Sequence, residues 1–206
     1  RYPKYFRKEH ISYYKEQSPE ELAMINYTSG TTGFSKGVML PYRALWGNID
    51  YVLKCLAPNV KLGSNLVSIL PMAHMYGLAV EFLFGFINGC HLYFLNRMPS
   101  PSLIAEAFAE VKPRLIVAVP LVIEKIIRRK VLAEVQTNRM KLLLNMPVIN
   151  KKIKQHIRDR IMEAFGGNAF EIIVGGAPLN QGIEEFLNSV GVPVTIGYGT
   201  TETAPL

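Results

Sequence analysis

The chain reads Tyr27-Thr28-Ser29-Gly30-Thr31-Thr32-Gly33-Phe34-Ser35-Lys36-Gly37 directly behind the apolar run 22–27. Glycines let consecutive backbone N–H groups converge on an anion, hydroxyls add donors, and a lysine adds a point charge; together they make the set a polyphosphate requires. A surface turn uses some of the same residues, but turns seldom need five hydroxyl residues and a lysine together. Two more polar, glycine-rich segments follow apolar runs. They are Gly175-Gly176-Ala177-Pro178 after residues 170–174, and Tyr198-Gly199-Thr200-Thr201-Glu202-Thr203 after residues 192–196. Glu202, a carboxylate among threonines behind a buried run, has little packing purpose and suits a hard cation. Tyr198 and His74, taken singly, fit packed core side chains equally well.

Common nucleotide motifs do not account for these segments. A Walker A loop needs glycine before its lysine, where Ser35 stands, and the G-x-G-x-x-G pattern fails because Gly197-x-Gly199 runs into Glu202. Gly33-Phe34-Ser35-Lys36-Gly37 matches G-x-S-x-G, the nucleophile elbow of serine hydrolases, and His74, His91 and His156 follow it. An elbow needs a strand running straight into the turn, whereas residues 28–32 intervene. A serine esterase using Ser35 therefore stands as the alternative chemistry, and a non-catalytic nucleotide-binding module as the alternative without chemistry. Asn26-Tyr27-Thr28 matches a glycosylation sequon by accident, at the end of a buried strand.

The elements that position these segments follow from hydropathy. β-rich apolar runs alternate with longer helical patterns: strand 22–27 then helix 42–56, strand 66–70 then helix 76–87, strand 92–95 then helix 103–111, and strand 115–119 then helix 122–130. A helix over 149–165, strand 170–174, a helix near 182–190 and strand 192–196 complete the series. This alternation predicts an α/β fold, mainly a parallel sheet flanked by helices, in which ligands bind at the carboxyl ends of the strands. Residues 133–147 suggest a helical insertion. The run 77–95 is nearly long enough to span a membrane, but Glu81 lies inside it and Gly85 and Gly89 interrupt it, so it reads as a buried helix followed by a buried strand.

With 206 residues, 49% of them hydrophobic and 19% charged, the chain has enough apolar material for a packed core, which excludes the disordered and fibrous classes. Cys55 and Cys90 show no ligand spacing or disulfide framework, so a reducing, cytoplasmic setting is expected. Residues 1–10 are charged and aromatic, without an apolar run or initiator methionine, which points to numbering that starts inside a longer protein without a secretory signal. The net charge of +7 is local: residues 125–160 hold eleven Lys or Arg against Glu134 and Asp159, and the remainder is slightly acidic. Nucleic acid is therefore not expected as a partner. Within that stretch Ile149, Ile153, Ile157, Ile161 and Phe165 form a helical apolar stripe backed by Lys151, Lys152, Lys154, Arg158 and Arg160. Such a helix packs on a core with a solvated basic face, or touches a membrane surface peripherally.

Read together, the Tyr27–Gly37 segment, Leu70-Pro71-Met72-Ala73-His74, Gly175-Gly176-Ala177-Pro178-Leu179 and Tyr198-Gly199-Thr200-Thr201-Glu202 resemble, in order, the core motifs of the adenylate-forming (AMP-binding) superfamily. That superfamily contains acyl-CoA synthetases, luciferases and peptide-synthetase adenylation domains. The resemblance covers residues 22–206 and implies that residues 1–206 are a fragment of the large N-terminal, AMP-binding domain. It implies a phosphate loop formed by Thr28, Ser29, Gly30, Thr31, Thr32, Gly33 and Lys36, with Lys36 as its cation. Gly175, Gly176, Ala177 and Pro178 would lie along the adenine, and Tyr198, followed by Gly199 and Thr200, would stack on it. Thr201 would bond the α-phosphate, while Glu202 with Thr28 would hold Mg²⁺. His74, Tyr76 and Gly77 would border the carboxylate end of an acyl pocket. Ser35 departs from the proline that many members carry, which leaves the loop less pre-set but removes no donor. The ribose-binding aspartate, an arginine and the small C-terminal domain with its adenylation lysine, all expected beyond the Thr-Glu motif, are not in residues 1–206.

The reaction implied is ATP-dependent activation of a carboxylic acid to an acyl-adenylate, passed on to coenzyme A, with Lys36, Thr201 and Glu202 as the catalytic residues. The basic helical stretch 120–167 looks like the insertion of long-chain fatty acid–CoA ligases, so the expected partners are a long-chain fatty acid, ATP and CoA. A chain ending at residue 206 is expected to be inactive by itself.

Overall fold

The structure is a computed structural model that describes residues 18–28, 34–129 and 147–205. Five parallel strands form the main sheet, in the order β4-β3-β5-β6-β7. They are β3 (Asn65–Ser68), β4 (His91–Phe94), β5 (Leu115–Ala118), β6 (Glu171–Val174) and β7 (Val194–Ile196). The alternation of apolar runs and helical patterns thus produces the parallel, helix-flanked sheet it predicts. Strand β5 is central and all four of its residues are buried. Its side chains alternate between two cores, as a strand period of two demands. Ile116 and Ala118 join one cluster with Ile104 and Phe108 of α3 (Pro101–Val111), Ile123 and Ile127 of α4 (Pro120–Ile127), Ile157 and Ile161 of α5 (Pro147–Ala164), and Ile183 and Leu187 of α6 (Gln181–Val190). Leu115 and Val117 face the other way, toward Val52 and Leu56 of α1 (Tyr42–Leu56) and toward Ala79, Val80 and Phe84. Each of the valine, leucine, isoleucine and phenylalanine side chains among these contributes about 1.5–3 kcal/mol on burial. The stripe of α5 therefore packs on the core at Ile157, Ile161 and Phe165, and Lys151, Lys152 and Arg160 lie exposed.

Three sequence expectations are corrected. Residues 22–27 do not start the parallel sheet: β1 (Leu22–Thr28) pairs antiparallel with β2 (Lys36–Pro41), a strand not anticipated, in a separate two-stranded hairpin with Thr28 opposite Lys36. The run 36–41 was masked by its glycine and lysine, though Val38 and Leu40 alternate with more exposed neighbours in strand fashion. Ser35 accordingly precedes a strand, whereas a hydrolase elbow leads from strand to helix, so the geometry removes the esterase reading. The third correction concerns β4, expected to be buried; it is an edge strand with exposed Tyr93 and Phe94, stacked beside a helix whose Phe82 touches both Phe86 and Phe94. That helix is π-helical over Gly77–Leu83 and continues as α2 (Phe84–Ile87), with the Phe84 N–H bonded to the Ala79 carbonyl five residues back. Among the described residues no helix is long and apolar enough to cross a membrane. The predicted insertion at 133–147 lies almost entirely outside the described residues.

Opposite ends of the sheet are tied differently. At the amino ends Arg114 donates to Asn59 O at 3.0 Å and Asn168 O at 3.2 Å, and its guanidinium sits 5.3 Å from the Phe170 ring centre. Asn65 and Asn168 add bonds to Val111 O and Lys112 O. At the carboxyl end of β3 the tie is a buried carboxylate. Glu81, only 2% exposed, accepts from the Ser68 hydroxyl at 2.9 Å, the Ile69 N–H at 3.2 Å and the Leu70 N–H at 3.1 Å.

Burial pushes the Glu81 carboxyl up to about 7, against the opposing pull of those three donors. A carboxyl raised in the fold binds its proton more tightly there than in the unfolded chain. Its contribution to stability is therefore fullest below the ordinary carboxylate value and is lost as pH rises toward about 7. Replacing Glu81 with Gln removes this titration. We expect the stability of wild type relative to Glu81→Gln to fall by on the order of 2–3 kcal/mol between pH 4.5 and 8. Urea unfolding at a series of pH values checks this, and a pH-independent difference would refute it.

Candidate functional site

Along the carboxyl edge of the sheet the strands stop and the chain leaves through the glycine-rich segments. Gly175 N–H still reaches Ala118 O at 3.1 Å, and Gly197 N–H reaches Val174 O at 2.8 Å, so each glycine is the last rung of its strand. A Cβ on Gly175 would lie 3.1 Å from the Tyr76 ring and 3.3 Å from Gly197 O, so the close approach of three segments depends on the missing side chain. Tyr76 completes this junction by donating its hydroxyl to Ile173 O at 3.2 Å. Burial, and next the negative charge of Glu81, push the Tyr76 phenol well above its ordinary value, so it stays a donor at every physiological pH.

This junction forms the floor of a cavity of about 860 Å³. It is lined by Gly175, Gly176, Tyr198, Gly199, Thr200 and Thr201 together with Leu70, Pro71, His74, Tyr76 and Gly77. Helix α1 contributes Tyr51, Val52, Cys55 and Leu56, and the base of β6 contributes Phe170, Glu171 and Ile173. Tyr198, 88% exposed, offers a free aromatic face. Of the residues singled out by sequence, the structure gathers His74, Tyr76, Gly77, Gly175, Gly176, Tyr198, Gly199, Thr200 and Thr201 around one space. Ala177 and Pro178 are exposed beyond Gly176 and do not line it. Glu202 is exposed on a 3-10 turn (Thr201–Thr203), one residue outside the lining. Thr28 and Lys36 face each other across the end of the hairpin, and Ser29, Gly30, Thr31, Thr32 and Gly33 lie outside the described residues.

The hairpin and the Glu202 turn are held together by a small core of Leu40, Met75 and Ala204, joined by Met24, Val38, Ala44, Leu45 and Leu78. Two buried amides fix it. Asn26 of β1 donates to Ala73 O at 2.9 Å, anchoring the segment that ends at His74. Asn48 of α1 donates to Thr203 O at 2.8 Å, anchoring the turn that carries Glu202. Within that turn Thr200 N–H donates to Thr203 Oγ1 at 3.0 Å, and Thr203 Oγ1 lies 2.7 Å from Pro205 O. Neither amide was read as an anchor in the sequence, although Asn48 leaves a signal by falling on the apolar stripe Leu45, Ile49, Val52, Leu56.

The residues present fit a nucleotide with a divalent cation. An exposed ring, a glycine pair and threonine hydroxyls surround the cavity, and Glu202 stands free at its rim. Among the described residues no group of three or more His, Cys, Asp or Glu could form a self-sufficient metal cage. A Mg²⁺ bound through one carboxylate and substrate phosphates needs none.

Comparison with known proteins agrees with this geometry. The profile of the AMP-binding enzyme family matches residues 4–206. Long-chain-fatty-acid–CoA ligase 5 of Mus musculus is 32% identical over 200 residues, covering 89% of this chain and 29% of its own length. The crystal structure of the adenylation domain of a carboxylate reductase from Mycobacterium chelonae superposes with a TM-score of 0.64 at 30% identity, over 90% of this chain and 28% of that one. ATP-bound MatB from Rhodopseudomonas palustris superposes with a TM-score of 0.63 at 26% identity, over 92% of this chain and 31% of that one. The chain thus spans about three-tenths of the length of the curated relatives it matches. On a family match across nearly all of its residues, the chain belongs to the AMP-binding enzymes.

Proposed function

We propose that the whole protein uses ATP to convert a long-chain fatty acid to an acyl-adenylate and then to an acyl-CoA thioester. The observation that carries this reading is the single cavity shared by the nucleotide-type segments and the His74 wall. It accounts for a nucleotide and a carboxylic acid meeting in one place, as adenylation requires. The names of the curated relatives support a long-chain fatty acid, and the ATP-bound relative supports ATP. Residues 1–206 are read as part of the large N-terminal domain.

In this reaction a carboxylate oxygen attacks the α-phosphorus, the bond to the bridging oxygen of the β-phosphate breaks, and pyrophosphate leaves. The thiol of CoA then attacks the acyl carbon and AMP leaves. The chain supplies no nucleophile; its contribution is to orient the two substrates and to gather charge around the phosphates. In this reading the glycine pair and Tyr198 receive the adenine, Thr201 donates to the α-phosphate, and Lys36 with the residues 28–33 receives the β- and γ-phosphates. Glu202, with the Thr28 hydroxyl, would hold Mg²⁺, which supplies positive charge to the phosphates. His74, Tyr76 and Gly77 border the fatty acid carboxylate. The exposed lysines of α5 favour peripheral contact with an anionic membrane, from which a long-chain substrate partitions, in a protein of the cytoplasm.

Two measurements test this. The whole protein is expected to exchange labelled pyrophosphate into ATP only when a long-chain fatty acid is present. Exchange absent with every carboxylic acid, with ATP still bound, would favour a nucleotide-binding module without chemistry. Second, Glu202→Gln removes a charge at an exposed position and keeps the volume. It is expected to leave the circular dichroism unchanged while lowering the exchange rate a thousandfold or more, about 4 kcal/mol of transition-state stabilisation. Near-normal exchange in this variant would make Glu202 dispensable.

A further inference from the structure

We infer that Glu81 is a positioning residue for the acid-binding side of the cavity, fixing through three hydrogen bonds the direction in which the chain leaves β3 toward His74. The inference rests on the adenylation reading above and extends it to a residue that does not itself touch the substrates. β3 ends at Ser68, so the N–H groups of Ile69 and Leu70 have no ladder partner, and both residues are wholly or partly buried. Unpaired donors at such depth are costly, and Glu81 takes both while also accepting from the Ser68 hydroxyl. The two oxygens of a carboxyl share these three donors between them, whereas a glutamine of the same shape would turn an NH₂ toward at least one of them.

The chain so directed forms the cavity wall. Leu70, Pro71 and His74 line the space immediately after the three bonded residues. The helix that carries Glu81 lines it too, through Tyr76, Gly77 and Val80. That helix also touches the wall at a second point, because a Cβ on Gly77 would sit 2.7 Å from Pro71 O. Glu81 therefore clamps the two sides of residues 70–77 onto each other, and the clamp lies in a π-helical segment, a conformation found disproportionately at functional sites. Among the described residues the bonded stretch runs directly into Pro71 and His74, whereas it meets the nucleotide side only indirectly, through Tyr76 at Gly175 and through Met75 and Leu78 at Ala204, so a loosened clamp should disturb the acid more than the nucleotide.

The test is steady-state pyrophosphate exchange by the whole protein and its Glu81→Gln and Ser68→Ala variants, with fatty acid and MgATP varied separately. In Glu81→Gln we expect kcat/KM for the fatty acid to fall at least tenfold while KM for MgATP stays within twofold, since small displacements near reacting groups are amplified in rate. Ser68→Ala keeps the carboxylate and its two amide donors, so it keeps the fold, and we expect a three- to fivefold fall for the acid only. It therefore decides the matter even if Glu81→Gln does not fold. Unchanged acid kinetics in the folded variants, or equal losses toward acid and MgATP, would overturn the inference. A wild-type protein that exchanges pyrophosphate with no acid would overturn the adenylation reading and this inference with it.

Discussion

All five strands of the main sheet run in one direction, so their carboxyl ends emerge along one edge, where the backbone has no further ladder to join. Everything at the site is an answer to that constraint. Gly175 and Gly197 carry the ladder one residue further, and Gly175 leaves room for Tyr76 and Gly197 to approach. Tyr76 spends its hydroxyl on Ile173 O, and Glu81 takes the donors left over at the end of β3. A substrate-sized cavity remains because these ends are satisfied by side chains and glycines rather than by another layer of packed structure.

The third small core matters for a different reason. The hairpin β1–β2 shares no ladder with the main sheet, yet Leu40, Met75 and Ala204 bury one of its faces against the His74 segment and the Glu202 turn. Asn26 and Asn48 add direction to that apolar contact, because an amide bonded to a carbonyl fixes orientation where aliphatic packing fixes only distance. Residues far apart in the chain, Lys36 and Glu202 among them, thereby come to belong to one assembly.

Much of this was legible in the sequence. The alternating apolar runs give the parallel order, and helix 42–56 matches α1 residue for residue because the polar face of that helix is unambiguous. The glycine-rich segments are legible because their composition serves no packing purpose. Less legible were features decided by tertiary contact. Lys36 and Gly37 hid β2, whose existence depends on pairing with β1 rather than on its own propensity. The exposure of β4 follows from its place at the edge of the sheet, a matter of topology that a run of aromatic residues does not encode. Glu81 was visible as a charge inside an apolar stretch, but its partners lie 11 to 13 residues earlier in the chain, and no spacing rule predicts that triad.

The bonds at the opposite edge carry a mechanical implication. Arg114 gathers Asn59, Asn168 and Phe170 at the amino ends of the strands, and Asn65 and Asn168 stitch the same region to the end of α3. The sheet is thus bound along both edges, by Arg114 and two asparagines at one and by Glu81, Tyr76 and the glycine rungs at the other, so a ligand meets a rim whose shape is set before it arrives.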